Sequence, residues 1–146
     1  MNIFEALRQS HEVQRTLAKK VLETSGDTPE RAKLFRNFKL ELSAHALAEE
    51  RHLYSPIMES DTGIDVSRHA IAEHHEIDEL VEQLQETEAS SPAWLAIAKK
   101  LSKKVHHHLK EEERGFFQMA GKILDEKQKK SLAQSYLADY EKALQS

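Results

Sequence analysis

A chain of 146 residues with net charge −4, no cysteine, four Gly and three Pro fits one compact domain; it excludes disulfides, thiolate metal ligands, cysteine-held clusters and thioether-linked haem. Its charged residues, 32% of the chain, interleave Lys with Glu and leave no basic face for a phosphate backbone, and no apolar run approaches the roughly 20 residues that span a bilayer. Neither nucleic acid nor membrane is an expected partner, strands are not expected, and any metal must be held by imidazole and carboxylate.

The opening Met1-Asn2-Ile3-Phe4-Glu5 is already amphipathic and holds no signal-peptide core, so a cytoplasmic protein is expected. A first helix is predicted over about residues 2–24, with His11 on its apolar side between Leu7 and Leu17. After Ser25-Gly26-Asp27, Thr28 supplies a hydroxyl N-cap and Pro29 a first-turn proline whose missing N–H costs nothing, which opens a second helix over about 29–58. Its apolar stripe of Leu34, Phe38, Leu42 and Leu53 contains His45 and Glu49. Tyr54 precedes Pro56 by two residues, where a bend is expected, and is read first as core. Asp61-Thr62-Gly63 leads to a third helix over about 65–88, with His74 inward between Ala70 and Ile77. Past Ala89-Ser90, Ser91-Pro92 repeats the earlier cap and opens a fourth helix over about 92–121, whose stripe of Ile97, Leu101, Val105 and Phe116 contains His108 and Glu112. Beyond Gly121 a fifth helix, about 125–144, carries Leu132, Tyr136 and Tyr140 on one face and is expected to pack across the others. Short connections make sequential helices antiparallel neighbours, so the expected fold class is all-α: an antiparallel up-down-up-down four-helix bundle with an additional C-terminal helix.

An offset of 63 residues aligns the two halves without a gap. Thr28-Pro29 falls on Ser91-Pro92, His11 on His74, His45 on His108, and Glu49-Glu50-Arg51 on Glu112-Glu113-Arg114. Residues four apart on a helix are turned by only about 40°, so each His-xxx-Glu pair shares the buried face. Six polar groups therefore converge on one layer: His11, His45, Glu49, His74, His108 and Glu112. Burying them uncompensated would cost several kcal/mol per ion, which points to a pair of cations between them. If both glutamates bridge, each metal receives two imidazoles and two oxygens, a solvent-derived bridge is a fifth ligand, and one position stays open. One HxxxE is a weak signal; two at a fixed offset, each joined by an inward His on a partner helix, form a specific one.

The remaining histidines are assigned elsewhere. His106 and His107 are expected to face solvent, since His107 with Glu111 points about 100° from the apolar stripe. His75 is spaced for an exposed pair with Glu79, and His69 lies on the wrong face to join His74. His52 shares the face of His45 and Glu49 and is kept, with Tyr54, as a possible pocket residue; Asp78 is expected to be exposed.

The segments Ser10-His11-Glu12, His45-Ala46-Leu47-Ala48-Glu49-Glu50-Arg51-His52-Leu53-Tyr54, Glu73-His74-His75-Glu76-Ile77 and His108-Leu109-Lys110-Glu111-Glu112-Glu113-Arg114-Gly115-Phe116-Phe117 resemble the hemerythrin-like HHE cation-binding domains. The likeness covers residues 1–121 and leaves 122–146 as a C-terminal helix packing on the bundle. It implies two iron ions with an oxo or hydroxo bridge, spanned by the carboxylates of Glu49 and Glu112, with His11, His45, His74 and His108 as terminal ligands. Oxygen-carrying members place a second His four residues from the first on the third helix and end on HxxxxD. Here those positions are Ala70 and Asp78, and the last motif is HxxxE, which points away from reversible oxygen carriage. An exchangeable position at each iron favours reaction with a small oxidant, hydrogen peroxide first and nitric oxide second. Catalase-like peroxide decomposition or nitric oxide reduction is the implied activity, in an oxidative-stress role with an electron donor that the sequence does not name. The alternative is an iron- or oxygen-sensing module, or an oxygen-binding one, without turnover.

Overall fold

The computed structural model describes residues 1–145, and these form five helical rods and no strand. Helix α1 spans Ile3–Leu22. Helix α2 spans Pro29–Glu49 and continues through a π-helical segment, Glu50–Tyr54, into a short Ser55–Ile57 turn. After a 3-10 turn at Asp61–Gly63 comes α3, Ile64–Glu86. Helix α4 spans Pro92–Glu111 and runs on through a second π segment, Glu112–Phe116, to Phe117–Ile123, and α5 spans Glu126–Leu144.

Starts and stops follow from the local sequence. Asn2 and Asp125 close capping boxes with Glu5 and Gln128, while Thr28 and Ser91 accept first-turn N–H groups ahead of Pro29 and Pro92. Gly26 takes the left-handed φ of 66° that turns the chain between α1 and α2. The fourth helix does not stop at Gly121 as expected; it runs to Ile123, where Leu124 turns extended and Asp125 caps the next helix.

Helix α1 packs on α2 and α4, α3 packs on α4, and α5 lies against α1 and α2. Two apolar clusters result. One gathers Ile3, Leu7, Tyr54, Ile57, Phe116, Phe117 and Tyr136; the other gathers Val21, Phe38, Leu42, Val81, Leu84, Trp94, Leu101 and Val105. Along every bundle helix the polar layer predicted from the sequence falls between them. The expected face of α5 docks: Tyr136 is fully buried, with Leu132 and Tyr140 against the same cluster. Tyr140 donates to Glu41, and Arg51 and His52 both reach Asp139.

Near Pro56, where a bend is expected, the helix leaves α geometry before the proline is reached. The Ser55 N–H donates to the Glu50 carbonyl and the Phe117 N–H to the Glu112 carbonyl, so both long helices widen by one residue, and the second does so without proline. In an α-helix residue i+5 is turned about 140° from residue i, whereas a π turn closes i+5 over i. Tyr54 is thereby carried under Glu49.

Gly63 sits where a β-carbon would strike the Ile57 carbonyl, so the turn into α3 requires its absence. Gly63→Ala should destabilise the fold by about 1–3 kcal/mol, whereas Gly115→Ala, with open space around it, should not. Chemical denaturation of the two variants checks this.

Candidate metal centre

All six predicted residues meet in the layer between the apolar clusters: His11 on α1, His45 and Glu49 on α2, His74 on α3, and His108 and Glu112 on α4, every one of them buried. Two overlapping sets could each hold an ion, His11, His45, Glu49 and Glu112 in one, Glu49, His74 and His108 in the other. Within a set, one donor atom per residue lies within 4.8 Å of all the others, and Glu49 belongs to both. The Nε2 atoms point inward. Those of His45 and His74 lie 3.2 and 3.3 Å from Glu49 Oε1, that of His11 3.2 Å from Glu112 Oε1, and that of His108 3.7 Å from Glu112 Oε2. His74 and His108 bring their Nε2 atoms within 3.1 Å of each other.

His11 Nε2, His45 Nε2, Glu49 Oε2 and Glu112 Oε1 are buried and make no hydrogen bond. Four such orphans in one layer would be a heavy desolvation cost for a purely structural core. Imidazole nitrogens and carboxylate oxygens roughly 3–4 Å apart are what ions with ligand bonds of about 2.1 Å require. The donor set therefore fits a pair of cations.

Each imidazole is oriented through its other nitrogen. His11 Nδ1 donates to Glu113 Oε2 at 2.6 Å and His74 Nδ1 to Glu50 Oε2 at 2.7 Å, which are equivalent contacts under the 63-residue offset. His108 Nδ1 donates to Glu73 Oε1 at 2.8 Å. The counterpart of Glu73 is Ser10, too short to reach His45. There the Tyr136 hydroxyl of α5 intervenes, 2.8 Å from His45 Nδ1 and 2.6 Å from Ser10 Oγ. Sequence reasoning had assigned none of these five residues to the site. The doubled Glu49-Glu50 and Glu112-Glu113 carried the signal for two of them, because the second glutamate, about 100° round the helix, reaches the histidine of a neighbouring helix.

Of the two possible pocket residues, one is at the centre and one is not. The Tyr54 hydroxyl donates to Glu49 Oε1 at 2.8 Å and also contacts Glu112 Oε2. Its ring packs on His74 with centroids 5.5 Å apart, as the equivalent Phe117 packs on His11 at 5.8 Å. His52 instead bonds Asp139 at 2.5 Å and ties α2 to α5. His69, His75, His106, His107 and Asp78 are exposed; His106 donates to the Ser102 carbonyl, and the expected pair of His75 with Glu79 is not formed.

Burial disfavours a charged His11 or His74, but Glu112 and Glu113 around the first, and Glu49 and Glu50 around the second, reverse the effect and raise them to about 9 and about 10. For His45 burial prevails over Glu49 and lowers the ring to about 4; its outer partner is a neutral phenol. Burial and the adjacent Glu49 charge push Glu112 up, while the close imidazoles of His45 and His74 hold Glu49 well below the usual carboxylate range in spite of burial. Without metal, protons on two histidines take the place of cations.

A family model described as the hemerythrin HHE cation-binding domain matches residues 2–120. The crystal structure of a hemerythrin HHE cation-binding domain-containing protein from Mycobacterium kansasii superposes with a TM-score of 0.87 at 24% identity, covering 99% of this chain and 88% of that one. Its extent shows that α5, outside the family model, also has a counterpart in that fold. No curated protein is significantly similar in sequence. None of the helices among the described residues is long and apolar enough to cross a membrane.

His11 and His74 have raised values in the folded chain, so their contribution to stability is complete below pH 6.5 and is lost as pH rises through about 9 and 10. The melting temperature of chelator-stripped protein should therefore fall between pH 7 and 10, and that of metal-loaded protein should fall less because cations replace those protons. Parallel pH profiles for the two forms would refute this.

Proposed function

The chain belongs to the hemerythrin HHE cation-binding family, and from that premise we propose that it is a non-haem diiron protein whose centre reacts with a small oxidant, hydrogen peroxide first and nitric oxide second. One observation carries the reading: Glu49 is shared between two buried donor sets, and inward-facing atoms of His11, His45, Glu49 and Glu112 among them have no hydrogen-bond partner. On this reading α1 to α4 are the antiparallel four-helix bundle of residues 1–121, with α5 added across it. His11, His45, Glu49 and Glu112 would hold one ion; Glu49, His74 and His108, with Glu112 in reach, would hold the other.

Iron, when bound, supplies the redox equivalents that turn peroxide into water and oxygen, or that reduce nitric oxide with electrons from a separate donor. The chain supplies selection and protons. Gln14, His45, His74 and His108 border a cavity of about 10 Å³, close to the room one water molecule needs, which limits the ligand to a few atoms. Gln14 Nε2 is buried there without a partner and is available to donate to a bound oxygen atom. Asp78, four residues past His74, lines the same cavity, and neither it nor Ala70 supplies the extra histidine of the oxygen carriers. The Tyr54 hydroxyl keeps its proton well above neutral pH, through burial and the neighbouring Glu112 and Glu49, and is the donor nearest both carboxylates.

A sensing role is favoured by one contact. Tyr136 links His45 to α5, so a change of metal state at the centre would reach the docking of that helix.

Iron-reconstituted wild type should evolve oxygen from peroxide or consume nitric oxide anaerobically. Glu49→Ala and Glu112→Ala should suppress that activity about equally, and far more than His52→Ala. A wild type inert to both molecules while holding two irons per chain sinks the enzyme reading; hydrogen exchange in α5 that differs between loaded and stripped protein would then support sensing. Separately, Glu50→Gln and Glu113→Gln should each weaken metal binding by about 10–100-fold, measured by competition with a chelator.

A further inference from the structure

Two further His-xxx-Glu pairs, outside the six central residues, face each other across α3 and α4: His69 with Glu73, and His107 with Glu111. His69 Nε2 lies 3.0 Å from Glu111 Oε1 and 3.7 Å from Glu73 Oε1, and His107 Nε2 lies 2.9 Å from Glu111 Oε2. His69, Glu73 and Glu111 each offer a donor atom within 4.8 Å of the others. They stand on a cavity of about 190 Å³ whose exposed lining includes Asp65, His69 and Glu111 and whose buried lining includes His108 and Glu112. The cavity thus runs from exposed side chains to Glu112, whose carboxylate belongs to the centre. Glu73 belongs to both ends, since the oxygen nearest His69 also accepts the hydrogen bond from His108 Nδ1.

We propose that His69, Glu73 and Glu111, supported by His107, form a peripheral site for a divalent first-row transition-metal ion and stage the ions that load the centre. Exposed His–Glu pairs contribute little to stability by themselves, and stability does not require an imidazole set between two carboxylates, one of them buried against a histidine of the centre. Ligand bonds of about 2.1 Å at roughly 90–110° place donor atoms about 3.0–3.4 Å apart, close to the spacings around His69. A mixed imidazole and carboxylate set without thiolate suits ferrous iron, manganese or zinc. Lys104 Nζ, 3.5 Å from Glu73 Oε2, puts a positive charge beside the site and keeps it weaker than the centre, as a staging site must be. Only the loading step rests on the reading of the centre as a metal site.

The test uses the full chain, stripped of metal, with Mn²⁺ as the probe and bound ions counted by electron paramagnetic resonance. Wild type should bind one ion per chain more than His69→Ala/Glu111→Ala, a pair of exposed substitutions whose folding is checked by circular dichroism. A centre-disabled chain, Glu49→Ala/Glu112→Ala, which removes the carboxylates of both central donor sets, should still bind one Mn²⁺ and lose it when the peripheral pair is changed as well. Anaerobic Fe²⁺ loading of the chain altered only at the periphery should slow by about tenfold or more, with final iron content unchanged. Equal Mn²⁺ counts with and without His69 and Glu111 overturn the site. A lost ion with an unchanged loading rate overturns the staging role. A wild type that takes up no iron, yet keeps one Mn²⁺ that the peripheral substitutions remove, overturns the reading of the centre and supports the peripheral site.

Discussion

Two carboxylates and four imidazoles lie in one dry layer, and the rest of the molecule is arranged around what that arrangement costs. Desolvation takes several kcal/mol per ion, against a total stability of roughly 5–15 kcal/mol for a domain of this size. The layer cannot be met by hydrogen bonds within itself, because inward-facing atoms of His11, His45, Glu49 and Glu112 find none. It is met from outside. Glu50, Glu73 and Glu113 each hold the far nitrogen of one histidine; Glu73 and Glu113 stay ionised down to about 2, against burial, through His108 in one case and His11 with Arg15 in the other. Apolar clusters above and below seal the layer, and the long helices that cross it are fixed at their starts by side-chain caps.

Widening the two glutamate-bearing helices is the geometric counterpart of this electrostatic arrangement. A regular α-helix would send Tyr54 and Phe117 about 140° away from Glu49 and Glu112. With one extra residue in the turn, each aromatic ring instead covers the histidine of a neighbouring helix, Tyr54 on His74 and Phe117 on His11. The widened segment begins at Glu50 in one half and at Glu112 in the other, one residue apart under the 63-residue offset, with proline near the first and glycine within the second. In both halves it lies at the pair of consecutive glutamates, one turned inward and one turned to a neighbouring histidine.

Much of this was legible in the sequence, since apolar spacing, N-caps and a duplicated motif are local signals. Period alone separated His108 from the adjacent His106 and His107, and it placed all six inward residues in one layer. What it missed depends on neighbours rather than on spacing. A 3.6-residue period cannot show a π turn, so Tyr54 reads first as core and only second as a pocket residue, although its hydroxyl touches both carboxylates. His52 has the right register for the pocket, yet Asp139, on a helix outside the repeat, draws it away. Gly121 read as a helix stop, but α4 passes through it and ends where Leu124 becomes extended.

Duplication makes the centre nearly two-fold, and the departures from symmetry fall around it. Glu73 answers to Ser10, Ile77 to Gln14 and Phe117 to Tyr54, and α5 has no counterpart at all. The outcome is chemical. An imidazole that donates to a carboxylate is a more basic ligand than one facing a neutral phenol. His74 and His108 both donate to carboxylates, whereas of the other pair only His11 does, and His45 meets Tyr136. In the proposed centre the imidazoles of His74, His108 and His11 would therefore be more basic ligands than that of His45. The small cavity touches His45 as well as His74 and His108, so a ligand entering it meets both environments at once. That difference is set by Ser10 and α5 acting together on a single histidine: Ser10 is too short to reach His45, and Tyr136 of α5 takes the place that Glu73 holds beside His108.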